Sequence, residues 1–175
     1  MIDCPCGSTK TFAACCALVH QDETLAIEAE QLMRARYSAF ATGNVDFAVN
    51  TYHSTCNALL DRDGIANSTL LNWVKLEVVF SSTSTGQISK VNSKINSESS
   101  TEAFVEFKAW YIQANSTTLH LMHEKSRFVK EQVGGHFCWR YIDGVFMDDK
   151  PGSKISRNSL CPCNSGKKYK RCCAL

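Results

Sequence analysis

Hydrophobic positions near the start of the chain recur at the spacing of an amphipathic helix. They share one helical face with a single arginine. The members of this face are Leu25, Ala29, Leu32, Met33, Arg36, Tyr37 and Phe40. The pattern predicts a helix over residues 22–43. Asp22 is a candidate cap for its start, and Gly43 suits its end because glycine tolerates the left-handed conformation there.

Two further helices are predicted before the pattern changes. Asn44 is a candidate cap for a short helix that runs to about Tyr52. Asn67 or Ser68 is a candidate cap for a third helix, which holds the apolar residues through Val74. The chain is therefore predicted to begin with three helices.

Beyond residue 75 the pattern favours strands rich in aromatic and β-branched residues. The predicted strands span residues 76–81, 102–112, 118–131 and 136–145. Residues 81–101 are rich in Ser, Thr and Asn and are predicted to form a loop containing a weak strand. Ala114-Asn115-Ser116 and Gly134-Gly135 suit hairpin turns. Three helices followed by an antiparallel meander predict an α+β fold, with the helices packed on one face of a curved sheet.

Composition and charge leave this picture unchanged. The chain has 175 residues, of which 44% are hydrophobic and 21% charged, and its formal net charge is +2. These values are normal for a soluble globular protein and do not by themselves indicate nucleic acid or a membrane. No apolar run in the sequence is long enough to span a bilayer, and the first residues lack the basic and apolar regions of a secretory signal. We therefore expect a cytoplasmic protein with no membrane partner.

Eight of the ten cysteines lie in two segments that copy each other near the two ends of the chain. Both segments read Cys-Pro-Cys, eight further residues, Cys-Cys. A serine, a lysine and an aromatic residue, Phe12 or Tyr169, fall at equal offsets in the two copies. The candidate metal ligands are Cys4, Cys6, Cys15 and Cys16 in the first copy and Cys161, Cys163, Cys172 and Cys173 in the second.

This spacing indicates a metal site in each copy. Structural zinc is held by four thiolates or imidazoles in a tetrahedron, and a thiolate-rich set selects zinc over magnesium or calcium. Proline between the first two cysteines restricts the loop, and Gly7 or Asn164 suits the turn that follows. Disulfides, redox-active cysteines and an iron–sulfur cluster are alternatives, but the compact duplicated spacing favours zinc. We expect two Zn2+ ions per chain, which supply the folding free energy of two small knuckles.

The segment from Cys161 to Cys173 resembles the SEC-C motif, the zinc-binding tail of the bacterial preprotein translocase ATPase SecA. In that protein the motif contacts the export chaperone SecB, so the resemblance implies docking to a protein partner. The residues expected to bind the partner are Lys167, Lys168, Tyr169, Lys170 and Arg171. Cys173 stands where many copies have histidine, and the N-terminal copy lacks the basic run.

Segments in the middle of the chain resemble the YchJ-like family of bacterial proteins, which pair SEC-C ends with an NTF2-like middle domain. The matching segments are Leu32-Met-Arg-Ala-Arg-Tyr-Ser-Ala-Phe, Val105-Glu-Phe-Lys-Ala-Trp-Tyr, His123-Glu-Lys-Ser-Arg-Phe-Val-Lys-Glu and Trp139-Arg-Tyr-Ile-Asp-Gly. The resemblance implies an NTF2-like cone, in which three helices on a curved antiparallel sheet enclose a pocket, and it implies no particular activity. The expected parts are a zinc knuckle at residues 1–20, an NTF2-like domain at 22–148 and a second zinc knuckle at 156–175.

The middle domain carries weak candidates for a catalytic or ligand-binding pocket. His123, His120 and Asp143 are titratable residues of the predicted strands, and a pocket with a His–Asp or His–Glu pair would support acid–base chemistry. His120 and His123 are separated by an odd number of positions, so they face opposite sides of a flat strand. Cross-strand ion pairs explain such residues more simply, and the sequence has no G-x-S-x-G, Walker or H-E-x-x-H motif. We therefore favour a binding protein over an enzyme.

Three functions are consistent with the sequence. The leading hypothesis is a zinc-binding adaptor that docks to a protein of the translocation, chaperone or ribosome machinery through its C-terminal knuckle. The first alternative is a small-molecule enzyme or ligand binder that uses the central pocket. The second alternative is RNA binding through the basic C-terminal knuckle, because clustered lysines attract phosphate.

Overall fold

The structure is a computed structural model that describes residues 2–82, 101–147, 152–163 and 165–174. Its helices are α1 (Cys16–Gln21), α2 (Ala29–Thr42), α3 (Val45–Asn50) and α4 (Arg62–Thr69), with short 3-10 turns between them. Its strands are β1 (Asn72–Ser81), β2 (Glu102–Ile112), β3 (Thr118–Val133), β4 (His136–Phe146) and β5 (Ser153–Lys154). None of the helices in these ranges is long and apolar enough to cross a membrane.

Local capping explains where α2 begins and ends. Glu28 and Gln31 form a reciprocal capping box at its start. Gly43 ends the helix with a φ of 76°, in the left-handed region. The predicted end is confirmed, whereas the predicted start at residue 22 is wrong. Asp22 instead caps a separate 3-10 turn, Glu23–Leu25.

Of the two shorter helices of the middle domain, one agrees with the prediction and the other does not. Asn44 caps α3 by accepting a hydrogen bond from the amide of Phe47, which confirms the second predicted helix. The third predicted helix is misplaced, because α4 ends at Thr69 and Val74 lies in β1. Leu70 contributed to the helical pattern, yet its side chain is exposed, and the residues that follow it pair with β2. Pairing between strands therefore outweighed the local helical signal.

The four long strands form an antiparallel sheet in the order β1-β2-β3-β4, and β5 pairs with the start of β3. The strands predicted at 102–112, 118–131 and 136–145 are confirmed, and the strand predicted at 76–81 begins earlier, at Asn72. Asn115 in one hairpin turn and Gly134 and Gly135 in the other have positive φ, as both predicted turns require. The loop predicted over residues 81–101 lies almost entirely outside the described residues.

Bulges interrupt the regular pairing of the sheet. The strand register is interrupted between Trp73 and Lys75 in β1 and between Arg127 and Phe128 in β3, and such bulges increase twist and bend a strand. Helix α2 packs against β1, β2 and β4, and its Leu32 is fully buried within a common core. The predicted α+β architecture is confirmed.

Candidate metal centres

The two cysteine-rich segments fold into two clusters in which four sulfur atoms converge. In each cluster the candidate ligand atoms lie within 4.8 Å of one another. The first cluster contains Cys4, Cys6, Cys15 and Cys16, and the second contains Cys161, Cys163, Cys172 and Cys173. These are the eight cysteines that the repeated spacing predicts, and the structure brings each set of four together.

The sulfur separations match those of a tetrahedral metal site. Cys15 Sγ is 3.7 Å from Cys6 Sγ in the first cluster, and Cys172 Sγ is 3.4 Å from Cys163 Sγ in the second. The sulfur atoms of the adjacent Cys-Cys pair are 3.9 Å apart in both clusters. Four thiolates at about 2.3 Å from a central zinc ion stand about 3.8 Å apart. Each donor set therefore fits one metal ion, and all ten cysteines are free thiols.

The backbone of the two knuckles repeats position by position. An isolated β-bridge pairs Asp3 with Thr11 in the first knuckle and Leu160 with Lys168 in the second. A 3-10 turn follows each bridge and leads to the Cys-Cys pair. The first cysteine of that pair has φ −137° and ψ −111° in one copy and φ −144° and ψ −107° in the other. This bend lets both adjacent cysteines face the same site.

Acidity differs among the thiols of a cluster. Burial raises the pKa of Cys4 to about 11, whereas hydrogen bonds, chiefly with the Cys16 thiol, lower the pKa of Cys6 to about 4. Burial also opposes ionisation of Cys163, but hydrogen bonds from Ser165 and from its neighbouring cysteines lower the pKa of Cys163 to about 7. Four thiols this close do not all ionise without a cation, because like charges repel. A divalent ion is therefore the natural complement of each cluster.

Thr9 occupies a strained backbone position in the first knuckle. Its φ is 62°, and its counterpart in the second knuckle is Gly166, with a φ of 71°. Left-handed backbone costs an L-residue about 1–2 kcal/mol, and β-branched residues seldom adopt it. We expect Thr9→Gly to stabilise the first knuckle by up to about 1 kcal/mol, after the entropic cost of glycine is subtracted.

Thermal unfolding of the metal-loaded protein would measure this gain, with Gly166→Thr as the reciprocal change. The melting temperature should rise for the first variant and fall for the second. A lower melting temperature for both variants would mean that contacts of the Thr9 side chain stabilise the knuckle by more than its backbone strain destabilises it.

The first knuckle is part of the main hydrophobic core. Cys4 and Cys6 are buried in the same cluster of side chains as the central helices and sheet. Arg34 of α2 donates through Nη1 to the Cys6 carbonyl oxygen at 2.8 Å. A β-carbon placed on Gly7 would lie 3.7 Å from the Leu76 carbonyl oxygen of β1. The first knuckle is therefore packed onto α2 and β1.

The second knuckle packs in a smaller cluster of its own. Cys161 and Tyr169 are buried there with Ile112 from the end of β2, while the other three ligands are partly exposed. Asn72 at the start of β1 donates through Nδ2 to the Cys173 carbonyl oxygen at 3.2 Å. Both knuckles thus contact β1, but it is the first that shares the main core.

The basic residues predicted to bind a partner lie on the second knuckle. Lys167, Lys168 and Arg171 are exposed, and Lys170 is half-buried. None of the four forms an ion pair with another residue that the structure describes. Tyr169 differs from its neighbours, because its side chain is only 2% exposed. The ring therefore anchors the knuckle, and contact between Tyr169 and a partner stays a prediction.

The three residues predicted near a pocket lie elsewhere on the sheet. His123 Nε2 is 2.8 Å from Glu106 Oε1 on the neighbouring strand, and His120 stacks on a tyrosine ring. Asp143 accepts two hydrogen bonds from Arg127. Among the residues that the structure describes, none of these three lines the central cavity.

A cavity of about 240 Å³ lies between the helices and the sheet. Its lining is mostly aromatic and includes two charged residues, Arg36 and Glu124. The sequence carried a signal for Arg36, which stands on the apolar face of the predicted first helix. Glu124 had only a weak signal, because it shares a strand face with Met122. His123, His120 and Asp143 therefore do not contribute to this lining, whereas Glu124, which lies in the same predicted strand as His120 and His123, does.

Comparisons with known proteins match each part of this architecture. A family profile described as "YchJ, middle NTF2-like domain" matches residues 28–144, and the SEC-C motif profile matches residues 3–18 and 157–175. A UPF0225 protein of Vibrio vulnificus strain CMCP6 is 43% identical to this chain over 181 residues, and the match covers 97% of each chain.

Two solved structures are also similar over most of the chain. The crystal structure of a SEC-C motif containing protein from Psychrobacter arcticus has a TM-score of 0.59 at 29% identity, and it covers 98% of this chain and 94% of that one. The solution structure of a SEC-C motif containing protein from Rhodopseudomonas palustris has a TM-score of 0.61 at 27% identity, and it covers 84% of this chain and 100% of that one. The predicted combination of SEC-C ends with an NTF2-like middle domain is confirmed.

Proposed function

Since the chain belongs to the YchJ-like family of UPF0225 proteins, with a SEC-C motif at each end, we propose that it is a zinc-binding adaptor. In this proposal the second knuckle docks to an acidic surface of a protein partner in the translocation, chaperone or ribosome machinery. The first knuckle serves as a structural part of the domain. The observation that carries the proposal is that the two knuckles have the same backbone conformation, but only the second has an exposed basic surface.

Zinc is the proposed metal for both clusters. Four thiolates form a soft donor set, which favours zinc over hard cations, and a site closed by four protein ligands is structural. A bound ion would supply folding free energy to each knuckle, since neither has a large apolar core. All ten cysteines are free thiols, a state that fits the reducing cytoplasm, where we place the protein.

The exposed surface of the second knuckle combines charge with one apolar side chain. We call this surface the basic face, and it consists of Leu160, Lys167, Lys168 and Arg171. Leu160 is 72% exposed and is bridged to Lys168, so an apolar group stands beside the cations. Such a surface complements a partner that carries acidic groups around a small apolar site.

Neutralisation of the metal cluster does not explain the basic face. A zinc ion with four thiolates has a net charge of about −2, and this charge is the same for both clusters. The positions of the first knuckle that correspond to the basic face are Asp3, Lys10, Thr11 and Ala14. Because these include one acidic and one basic residue, the knuckle fold does not require added cations. Recognition of a partner accounts better for the charges on the second copy.

Charge reversal on the basic face tests the docking proposal. We expect Lys167→Glu/Lys168→Glu/Arg171→Glu protein, with its metals bound, to lose the protein partners that the wild type captures by crosslinking in its own cells. The matched control is Lys10→Glu, which reverses the corresponding lysine of the first knuckle and should leave capture unchanged. Retention of the same partners by the triple variant would contradict docking through this face.

Salt dependence and nuclease digestion distinguish protein docking from RNA binding. Phosphate binding by clustered cations weakens steeply as salt rises, and nuclease digestion would release proteins held through RNA. Partners that survive nuclease support the adaptor, whereas complete release supports RNA binding instead. Leu160→Ser sharpens the comparison, because it should weaken a protein contact and leave a phosphate contact unchanged.

A further inference from the structure

The central cavity contains two buried charges that are not paired with each other. Arg36 of α2 is 6% exposed and Glu124 of β3 is 5% exposed, and both line the cavity. Within the described part of the chain, neither has an oppositely charged side chain within 4.0 Å. A buried charge without a partner is costly, so this arrangement requires an explanation.

The Arg36 guanidinium is only partly satisfied by the protein. Its Nη1 donates to the Ala48 carbonyl oxygen at 2.8 Å and to Thr51 Oγ1 at 2.6 Å. Its central carbon lies 4.3 Å from the ring centroid of Tyr52 and 4.9 Å from that of Tyr141, so two aromatic faces support the charge. The Tyr52 side chain also hydrogen-bonds with the guanidinium. The remaining N–H groups donate to no carbonyl or carboxylate oxygen of the described residues.

The Glu124 carboxylate likewise keeps one oxygen free. Its Oε1 accepts hydrogen bonds from the Ser126 hydroxyl at 2.7 Å and from the Tyr141 hydroxyl at 3.0 Å. Its Oε2 accepts no hydrogen bond from the residues that the structure describes. Every fully buried side-chain nitrogen and oxygen there has a partner. The free oxygen and the free guanidinium groups are therefore not sealed within protein, and they open into the cavity.

The size and walls of the cavity restrict what it can hold. Its volume of about 240 Å³ restricts the occupant to a small molecule. The remaining walls are mainly aromatic and include Phe40, Trp73, Phe107, Phe128 and Phe146. Such walls favour an apolar body, and the two opposite charges favour a molecule whose own charges sum to zero.

We propose that this cavity binds a small zwitterion with an apolar body, of the class of hydrophobic amino acids. The carboxylate of the ligand pairs with the free N–H groups of Arg36, and its ammonium group pairs with the free oxygen of Glu124. A zwitterion satisfies both buried charges at once, whereas a simple anion or cation satisfies one and adds net charge to a site of low dielectric constant. The proposal is independent of docking through the basic face.

Isothermal titration calorimetry on the full metal-loaded chain tests the ligand class with four probes. L-Phenylalanine and L-leucine carry both charges, 3-phenylpropanoate carries only the carboxylate, and 2-phenylethylamine carries only the ammonium group. We expect at least one of the amino acids to bind, and both single-charge analogues to bind about 10- to 100-fold more weakly, because each lacks one charged hydrogen bond. Equal or tighter binding of a single-charge analogue would overturn the zwitterion assignment.

Two variants locate the binding in the cavity. Glu124→Gln removes the charge but keeps an acceptor for Ser126 and Tyr141, and Met122→Trp fills the cavity without changing either charge. Both should weaken amino-acid binding about tenfold or more. Thermal unfolding of each variant, measured alongside, distinguishes a lost site from a lost fold. Absence of binding by both amino acids to the wild type, or binding that neither variant changes, would overturn the site.

Discussion

Breaking the first knuckle with Cys16→Ser should destabilise the whole domain by about 5 kcal/mol or more, whereas Cys173→Ser should leave the central fold intact. Each substitution removes the last ligand of one cluster and so releases its metal. The effects differ because the first cluster belongs to the main core, while the second packs in a small cluster beside Ile112. Loss of a structural metal together with buried packing is among the largest effects of a single substitution.

Circular dichroism during thermal unfolding measures this difference, and elemental analysis checks the metal. Wild-type protein purified without added metal should hold about two zinc ions per chain, and each variant about one. Cys138→Ser is the control, because Cys138 is a buried cysteine outside both clusters and its variant should retain both ions. Equal loss of stability in the two knuckle variants would refute the difference in packing, and iron in place of zinc would refute the proposed metal.

Replacing Arg140 with methionine should cost about 3 kcal/mol of stability. The Arg140 side chain is 4% exposed, donates to both carboxylate oxygens of Glu23 at 2.9 and 2.5 Å, and lies 3.6 Å from Glu131. Glu23 belongs to the 3-10 turn that precedes α2, so the ion pair ties this turn to β4. Methionine fills much of the volume but leaves two carboxylates without their cation, and breaking a buried pair in this way is strongly destabilising.

Arg127→Met is the matched control for this prediction. Arg127 also donates two hydrogen bonds to a single carboxylate on the same sheet, but both partners are exposed. Exposed ion pairs contribute little because water screens them, so the midpoint of urea unfolding should change little. Equal shifts for the two arginine variants would show that burial does not determine the strength of these pairs.

Local signals predicted most of the sheet, and long-range contacts account for the errors. Both hairpins need residues that accept positive φ, and Asn115, Gly134 and Gly135 are visible as such in the sequence. Val74 is assigned to a helix by its apolar neighbours, but Trp73 and Lys75 on either side of it pair with β2, and Val74 is the bulge residue between them in β1. The start of α2 depends on a capping box at Glu28, which competes with the more familiar cap residue further upstream.

For the candidate metal centres and the cavity too, local signals were predictive and long-range contacts were not. The repeated Cys-Pro-Cys and Cys-Cys spacing identifies eight ligands, because a short stretch of chain brings each set of four together. The spacing of the cysteines does not predict the contacts from Arg34 and Leu76 that pack the first knuckle onto the core. Arg36 and Glu124 are also far apart along the chain, and no motif links them, so their convergence on one cavity is seen only in the folded structure.

Contact between the knuckles and β1 has a consequence for association between molecules. Among the described strands β1 stands at the edge of the sheet, where backbone groups on one side lack a strand partner. Such an edge can recruit a strand from another molecule and begin aggregation. Gly7 lies close to Leu76 of this strand, and the Cys173 carbonyl accepts a hydrogen bond from Asn72, so both folded knuckles hinder that approach. A chain starved of metal would therefore lose solubility along with its knuckles.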